Sequence, residues 1–224
     1  MICGDAEITI GSTLSALIMP CASKKIVNRI FVPVNAPQSV MAGAKLNRPS
    51  KSIKVTFYSD FDDILTEVNS ICHKKSHITI YLQTVVDGVA LDMIGLLEKA
   101  VPILKRHSKV TGVTIMLNDS NGLGRVGPRS LGYLNLMEAN HGVNFLKKAF
   151  STLNCPIDVI VAGSWFDAFG HQGGYVIGTA SLVECLTWDA KAFFFSTPPM
   201  PLQAAMSDRM LRLLSEQAIE HVEN

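Results

Sequence analysis

Short apolar runs rich in β-branched and aromatic residues recur along this chain and predict β-strands. Residues 53–58 alternate apolar and polar side chains, which is typical of a strand with one buried face. The nearly continuous apolar run from Val110 to Leu117 predicts a strand that is buried on both faces. The whole pattern predicts strands at residues 6–10, 26–34, 53–58, 77–85, 110–117, 156–162 and 174–178.

Segments with helical periodicity separate these strands. They predict helices at residues 14–19, 38–46, 62–72, 91–105, 140–151, 181–188 and 201–224. Ser59 and Asp60 form an N-cap signal before the third helix, and Pro102 predicts a kink or an early end in the fourth. The alternation of strands and helices predicts a single α/β domain over residues 1–224, with a mostly parallel sheet that helices cover on both faces.

Ligands in such folds bind beyond the carboxyl ends of the strands, so the loops after these ends are the candidate sites. After the first strand, a Gly-Ser-Thr turn precedes an apolar helix. Ser12 and Thr13 therefore either cap that helix or contribute to an anion site. The stretch from Asp158 to Gly178 contains a strand, an aromatic loop, a glycine pair and a second strand. This order brings the backbone close to a bound group.

The amino-acid composition limits the kinds of partner that we expect for this chain. The 224 residues are 48% hydrophobic and 17% charged, which predicts a large core or a face covered by a partner. The net charge of +1 gives no reason to expect nucleic acid or an anionic membrane as a partner. No apolar run reaches the roughly 18 residues of a membrane span. Five scattered cysteines without a CxxC pair predict reduced thiols in an intracellular compartment, without distinguishing the cytoplasm from an organelle matrix.

One glycine motif is deceptive. Gly122, Gly124 and Gly127 match G-x-G-x-x-G, the fingerprint of dinucleotide-binding sites. In those sites the glycines run directly from the first strand into a helix, whereas here Pro128 follows the third glycine past the middle of the chain. We therefore reject a dinucleotide site and expect Pro128 and Arg129 to continue an extended loop.

Other candidate chemistry is weak. The cluster of Cys72, His73 and His77 lacks the further ligands that a metal site needs, so no metal is expected. No G-x-S-x-G elbow supports a serine nucleophile. Three carboxylates near residue 60 suit the start of a helix rather than an acid/base pair; they belong to Asp60, Asp62 and Asp63.

Several loops together resemble one family, the α-oxoamine synthases, which are pyridoxal-phosphate enzymes with the fold of class I and II aminotransferases. The stretch that begins at Asp158 is similar to the family's lysine loop, Gly-Thr-x-Ser-Lys-Ala-x-Gly followed by a glycine pair. The matching residues are Gly163, Ser164, Ala168, Gly170, Gln172, Gly173, Gly174 and Gly178. Four further segments resemble family motifs in the family's order: residues 39–48, 87–88, 118–132 and 195–199. The resemblance extends from about Gly11 to Met210.

This resemblance implies the fold of the family's large cofactor domain. Family members also have an N-terminal arm and a small C-terminal domain, which we expect this chain to lack. Family active sites form between two subunits, so the resemblance implies a homodimer or a heteromer with another protein subunit. It also implies a site for pyridoxal phosphate at the ends of the strands.

The departures from the family pattern affect the chemical positions. The Schiff-base lysine falls at Asp167, which has no amine to form an imine. The acidic partner of the pyridine nitrogen falls at Asn118, a neutral amide that cannot hold that nitrogen protonated. The motif's histidine falls at Asn121, and an earlier stacking histidine falls at Pro37. Asp119 follows Asn118, and we expect its carboxylate to face away unless the register slips by one residue.

The sequence therefore leaves two functions open. The favoured one is a catalytically silent homologue that acts as a structural or regulatory subunit, like the lysine-less subunit of serine palmitoyltransferase. The alternative is an active pyridoxal-phosphate-dependent transferase with relocated catalytic residues. In the silent protein no cofactor is expected to be held covalently. Hydroxyls that match the family's phosphate site would be the remaining ligand-binding groups; they belong to Ser12, Thr13, Ser164 and Thr197.

Overall fold

The structure is a computed structural model of the 224-residue chain. It describes residues 2–3, 13–14, 26–46, 52–70, 74–153, 155–190 and 198–220. The predicted strand at residues 6–10 and most of the predicted helix at residues 14–19 lie outside the described residues, as do Ser12, Thr197, Cys72 and His73.

Seven of the described strands form one sheet, and two short strands form a separate hairpin. The strands are β1 (Ile2–Cys3), β2 (Val27–Pro33), β3 (Ile53–Tyr58), β4 (Ser76–Gln83), β5 (Val85–Val86), β6 (Val89–Ala90), β7 (Val110–Asn118), β8 (Ile157–Ser164) and β9 (Gly174–Ile177). The predicted strand at residues 77–85 is thus divided, since Val85 belongs to the hairpin of β5 and β6.

The order of strands in the large sheet is β1-β9-β8-β7-β4-β2-β3. The five strands from β8 to β3 are parallel, whereas β9 runs antiparallel to β8 and β1 runs antiparallel to β9. The prediction of a mostly parallel sheet is confirmed. The carboxyl ends of β7 and β8 lie side by side, with Asn118 paired to Ala162.

The α-helices whose bounds lie within the described residues are α1 (Gln38–Leu46), α2 (Phe61–Asn69), α3 (Met93–Arg106), α4 (Tyr133–His141), α5 (Phe145–Phe150), α6 (Trp165–Phe169), α7 (Ala180–Asp189) and α8 (Pro201–Glu220). The start of α2 confirms the N-cap signal: Asp60 caps the helix, and the Asp63 side chain accepts from the Asp60 backbone N–H. The acidic residues at this position are helix-start charges, as predicted.

Two local predictions were wrong, and of the two outcomes predicted for Pro102 the early end of the helix does not occur. The predicted helix at residues 140–151 is interrupted at Gly142, because its φ of 84° is incompatible with a continuous α-helix; α4 ends before it and α5 begins after it. Pro102 does not end α3, which continues to Arg106; Pro102 is exposed, so water can reach the carbonyl that loses its helical bond. Pro128 and Arg129 form a tight 3₁₀ turn rather than an extended loop.

Helices pack on both faces of the sheet and create two cores. The first core joins the sheet to α2, α3, α4 and α5 through residues such as Ile64, Leu97 and Met137. The second core lies on the other face and contains Val40 of α1 and Leu186 of α7. In β7, Leu117 points into the first core and Met116 into the second, which confirms that this strand is buried on both faces.

Candidate functional site

A buried chain of neutral hydrogen bonds lies at the carboxyl ends of β4, β7 and β8. Asn118 ends β7, and its amide nitrogen donates to the Tyr81 hydroxyl over 2.7 Å. The side-chain oxygen of Asn118 accepts from both the backbone N–H and the hydroxyl of Ser120, at 3.1 and 2.7 Å. Ser164, which ends β8, donates its N–H to the Ser120 hydroxyl oxygen over 3.1 Å. All four residues are buried.

This network contains no ionised group. Burial raises the pKa of the Tyr81 hydroxyl, and the bond from Asn118 offsets that effect only in part, so the phenol stays neutral. Tyr58 donates its hydroxyl hydrogen to the Tyr81 backbone carbonyl over 2.9 Å. Both ends of the Asn118 amide are therefore occupied by neutral partners.

The second part of the site is the segment after β8, where the sequence predicts an aromatic loop. The structure forms the short helix α6 there, capped by Ser164, whose hydroxyl oxygen accepts from the Asp167 N–H over 3.2 Å. Gly170 ends α6 in the left-handed conformation, with a φ of 75°. The spacing of Ser164 and Asp167 matches a helix-capping signal, which is the one sequence feature that points to α6. A helix of five residues is too short to show helical periodicity in the sequence.

Arg125 joins two of the predicted positions. Its guanidinium donates to the Asn121 side-chain oxygen over 3.3 Å and to the Asp167 backbone carbonyl over 3.1 Å. The Asp167 side chain is exposed, and no described residue pairs with its carboxylate. Asn121 and Arg125 also line a cavity of about 450 Å³ beside the hairpin turn. Sequence reasoning missed Arg125.

The glycines of the false dinucleotide motif serve this packing. A Cβ on Gly124 would lie 3.1 Å from the Ala168 carbonyl oxygen, and its φ of 81° suits glycine. Gly127 has a φ of 83° and leads into the 3₁₀ turn instead of a long helix. Gly124 thus lets the loop after β7 lie against α6.

Pro37 and Thr13 are the other predicted residues that the structure describes. Pro37 precedes α1 and accepts from the Met41 N–H over 3.0 Å; within the described chain, no hydrogen bond joins it to Asn118, Asn121 or Asp167. Thr13 is buried beside Leu14, which belongs to the second core. Of the four predicted phosphate-site hydroxyls, the structure describes those of Thr13 and Ser164, and Ser164 belongs to the cluster through its bond to Ser120.

Asp119 faces the opposite side of the sheet from Asn118. The Thr84 hydroxyl and the Tyr133 N–H donate to its carboxylate over 2.6 and 3.0 Å. Tyr133 belongs to the first core, whereas Tyr81, the partner of Asn118, belongs to the second. Burial raises the pKa of Asp119, and the two hydrogen bonds lower it. The register of β7 therefore directs this carboxylate away from Asn118, and sequence reasoning missed both of its partners.

The described residues contain no group of three or more histidine, cysteine or acidic side chains arranged to hold a metal. His77 makes a hydrogen bond to the Thr114 hydroxyl over 2.9 Å at the amino end of the sheet, and burial lowers its pKa. None of the described helices is long and apolar enough to cross a membrane.

The predicted positions do not fit a covalently held pyridoxal phosphate. Asp167 offers no amine, and Asn118 offers no negative charge to a pyridinium nitrogen. Both polar atoms of the Asn118 side chain have at least one hydrogen-bond partner, so neither is an orphaned buried group that requires an ion.

No family model matches this chain. Among curated proteins, it is 42% identical over 218 residues to aminotransferase ALT4 of Alternaria alternata, a match that covers 96% of this chain and 27% of that protein. It is 41% identical over 216 residues to aminotransferase FUM8 of Gibberella moniliformis, covering 94% of this chain and 39% of that protein. It is 30% identical over 181 residues to 8-amino-7-oxononanoate synthase of Thermoanaerobacter pseudethanolicus, covering 80% of this chain and 39% of that enzyme. The chain thus spans well under half the length of these relatives.

Solved structures share the fold. Serine palmitoyltransferase of S. paucimobilis with bound PLP–myriocin aldimine superposes with a TM-score of 0.66 and 14% identity, over 96% of this chain and 46% of that one. The 8-amino-7-oxononanoate synthase of Francisella tularensis gives a TM-score of 0.57 and 19% identity, over 96% of this chain and 53% of that one. At these identities the likeness concerns the fold alone.

Proposed function

Because this chain is related to the α-oxoamine synthases, a family of pyridoxal-phosphate-dependent enzymes, we propose that it is a catalytically silent relative within that family. In this proposal it acts as a structural or regulatory subunit of a homo- or hetero-oligomer. The observation that carries the proposal is the neutral hydrogen-bond network around Asn118.

A pyridine ring acts as an electron sink only while its nitrogen is held protonated, which requires a nearby anion. The Asn118 amide uses its nitrogen for Tyr81 and its oxygen for Ser120. An amide in this arrangement supplies no negative charge, and its neighbours supply none in its place. The carboxylate nearest in sequence, Asp119, is engaged on the other side of the sheet.

The lysine loop supports the same proposal. Asp167 stands at the lysine position and presents its side chain to solvent. In the part of the chain that the structure describes, no hydrogen bond or ion pair brings a lysine to Asn118, Asn121 or Asp167; the two lysine ion pairs there involve Lys54 and Lys99, on other elements.

Exposed apolar side chains support the subunit role. Leu202, Met206 and Met210 recur every fourth residue along one side of α8, with exposed fractions of 71%, 44% and 39%. Phe166 is also 66% exposed, and it lies on α6, which α8 contacts. Exposed apolar side chains that recur on one side of a helix are typical of an interaction surface.

A second candidate function remains, because two of the relatives carry the name aminotransferase at 41–42% identity. In that alternative the chain contributes to a working pyridoxal-phosphate enzyme with relocated residues. Absorbance spectra of the purified protein with pyridoxal phosphate separate the two functions. The silent relative gives the spectrum of free cofactor, whereas a protein-bound visible band that borohydride removes would support the enzyme.

Association is tested separately. Light scattering after gel filtration should show a dimer, or a complex with a subunit recovered by pull-down. A Leu202→Glu, Met206→Glu double variant should shift the mass to that of the monomer. Ala205→Glu is the matched control, because Ala205 is exposed on the same helix outside the apolar stripe. A monomeric wild-type protein without a recovered partner would contradict the subunit role while leaving the absence of catalysis untouched.

A further inference from the structure

A cavity of about 340 Å³ lies on the face of the sheet opposite the Asn118 network. It is lined by residues of β8, α6, β9, α4, α8 and the loop between β7 and α4. Its walls are mostly aliphatic and include Leu123, Leu131, Leu134, Val161 and Leu211. Pockets of a few hundred Å³ with apolar walls and few polar groups are typical of small-molecule sites.

Asp119 is the charged residue that lines this cavity. It is only 4% exposed, and its two described hydrogen-bond donors, Thr84 and Tyr133, are both neutral. None of the ion pairs among the described residues involves Asp119. A buried carboxylate without a cation is electrostatically unfavourable, and an incoming cation would relieve that condition.

Two aromatic rings border the same cavity. The rings of Trp165 and Tyr175 lie with their centroids 4.7 Å apart, and both residues are buried. Aromatic faces attract ammonium groups, most strongly where water is excluded. A carboxylate and two electron-rich rings in one apolar cavity therefore form a combination that selects a cation with an apolar body.

We propose that this cavity binds an apolar monoamine, with its ammonium group at Asp119 beside Trp165 and Tyr175 and its hydrocarbon body along the leucines. A cavity of about 150 Å³ suffices for benzene, so this one admits a body of roughly six to ten carbons. The site is independent of the proposed function, since it lies on the other face of the sheet and uses none of the predicted cofactor positions.

The test compares three probes of equal length by calorimetric titration of the 224-residue protein: hexylammonium, hexanol and hexanoate. The expected order is hexylammonium first, tighter than hexanol by about tenfold, with hexanoate weakest, because only the ammonium gains from the carboxylate and the rings. Equal binding of the amine and the alcohol, or binding of none of the three, would overturn the proposal.

Two variants locate the site. Asp119→Asn keeps the shape and should abolish the preference for the amine while leaving hexanol binding in place. Leu211→Trp fills the cavity and should remove binding of both, whereas Arg209→Trp, at an exposed position of the same helix outside the cavity, should leave both unchanged. Should circular dichroism show that Leu211→Trp is unfolded, Ile177→Trp at the exposed edge of the cavity replaces it. A preference for hexylammonium that survives Asp119→Asn would overturn the assignment.

Discussion

The carboxylate of Asp119 is the clearest point at which the structure predicts unequal effects of two similar substitutions. It accepts from the Thr84 hydroxyl and the Tyr133 N–H, and thereby fixes the loop between β7 and α4. Asp119→Ala removes both acceptors. The Thr84 hydroxyl retains its bond to the backbone carbonyl of Asn118 at 3.1 Å, but the buried Tyr133 N–H has no other described acceptor.

An unsatisfied buried N–H costs about 1–3 kcal/mol, so we expect Asp119→Ala to lower the free energy of unfolding by about 2 kcal/mol. Asp119→Asn preserves the pattern. Its oxygen accepts from Tyr133, and its nitrogen donates to the Thr84 oxygen, which already donates to Asn118. We expect a change below about 1 kcal/mol for this variant.

The assay is urea unfolding followed by the fluorescence of the two tryptophans, with midpoints compared at constant slope. A second comparison uses pH. Burial raises the pKa of Asp119 in the folded state. The contribution of this side chain to stability is therefore full below the pKa of an unfolded carboxyl group, about 4, and it is lost as pH rises through the folded-state pKa. The stability of Asp119→Asn relative to wild type should therefore improve from pH 4 to pH 7. Equal losses in the alanine and asparagine variants would refute the hydrogen-bond argument.

Three further predictions follow from close contacts and buried groups. Gly163→Ala should lower the free energy of unfolding in urea by about 1–3 kcal/mol, because the added Cβ would meet the Tyr175 ring. Gly178→Ala should be nearly neutral, because the nearest atom to the added Cβ lies at 3.7 Å. Similar losses in the two variants would contradict the packing. Asn118→Asp should lose about 1–3 kcal/mol at pH 7 and less at pH 4, since the added carboxylate is buried; a gain at pH 7 would contradict this. Burial lowers the pKa of His77, so wild-type stability should fall as pH drops below about 6.5, and His77→Asn should reduce that fall in the same assay.

Periodicity predicts the sheet well because its strands are buried on one or both faces. The boundaries of β3 and α1 agree with the predicted residues 53–58 and 38–46. The failures occur where one backbone angle decides the outcome. Gly142 ends α4 with a positive φ, and a helical pattern of side chains cannot reveal that.

The candidate site was predictable in position and unpredictable in its contacts. Order along the chain places Asn118 and Ser164 at neighbouring strand ends, and the structure joins them through Ser120. Tyr81 was not predicted as a site residue. It lies on β4, and the pairing of β4 with β7, which are distant in sequence, determines that its side chain reaches Asn118. The segment around Asp167, predicted as a loop, is a helix in the structure. The Ser164 cap and the packing of Trp165 determine its conformation, and its short sequence pattern does not distinguish a helix from a loop.

The absence of covalent cofactor chemistry is the central claim, and an intact-mass measurement tests it most directly. Wild-type protein and Asp167→Lys are each incubated with one equivalent of pyridoxal phosphate, reduced with borohydride, weighed, and mapped by peptide mass spectrometry. We predict that the wild type carries only low, scattered labelling of surface lysines, and that the variant, which regains an amine at residue 167, gains label at that residue. One stoichiometric adduct on a single wild-type lysine would contradict the account.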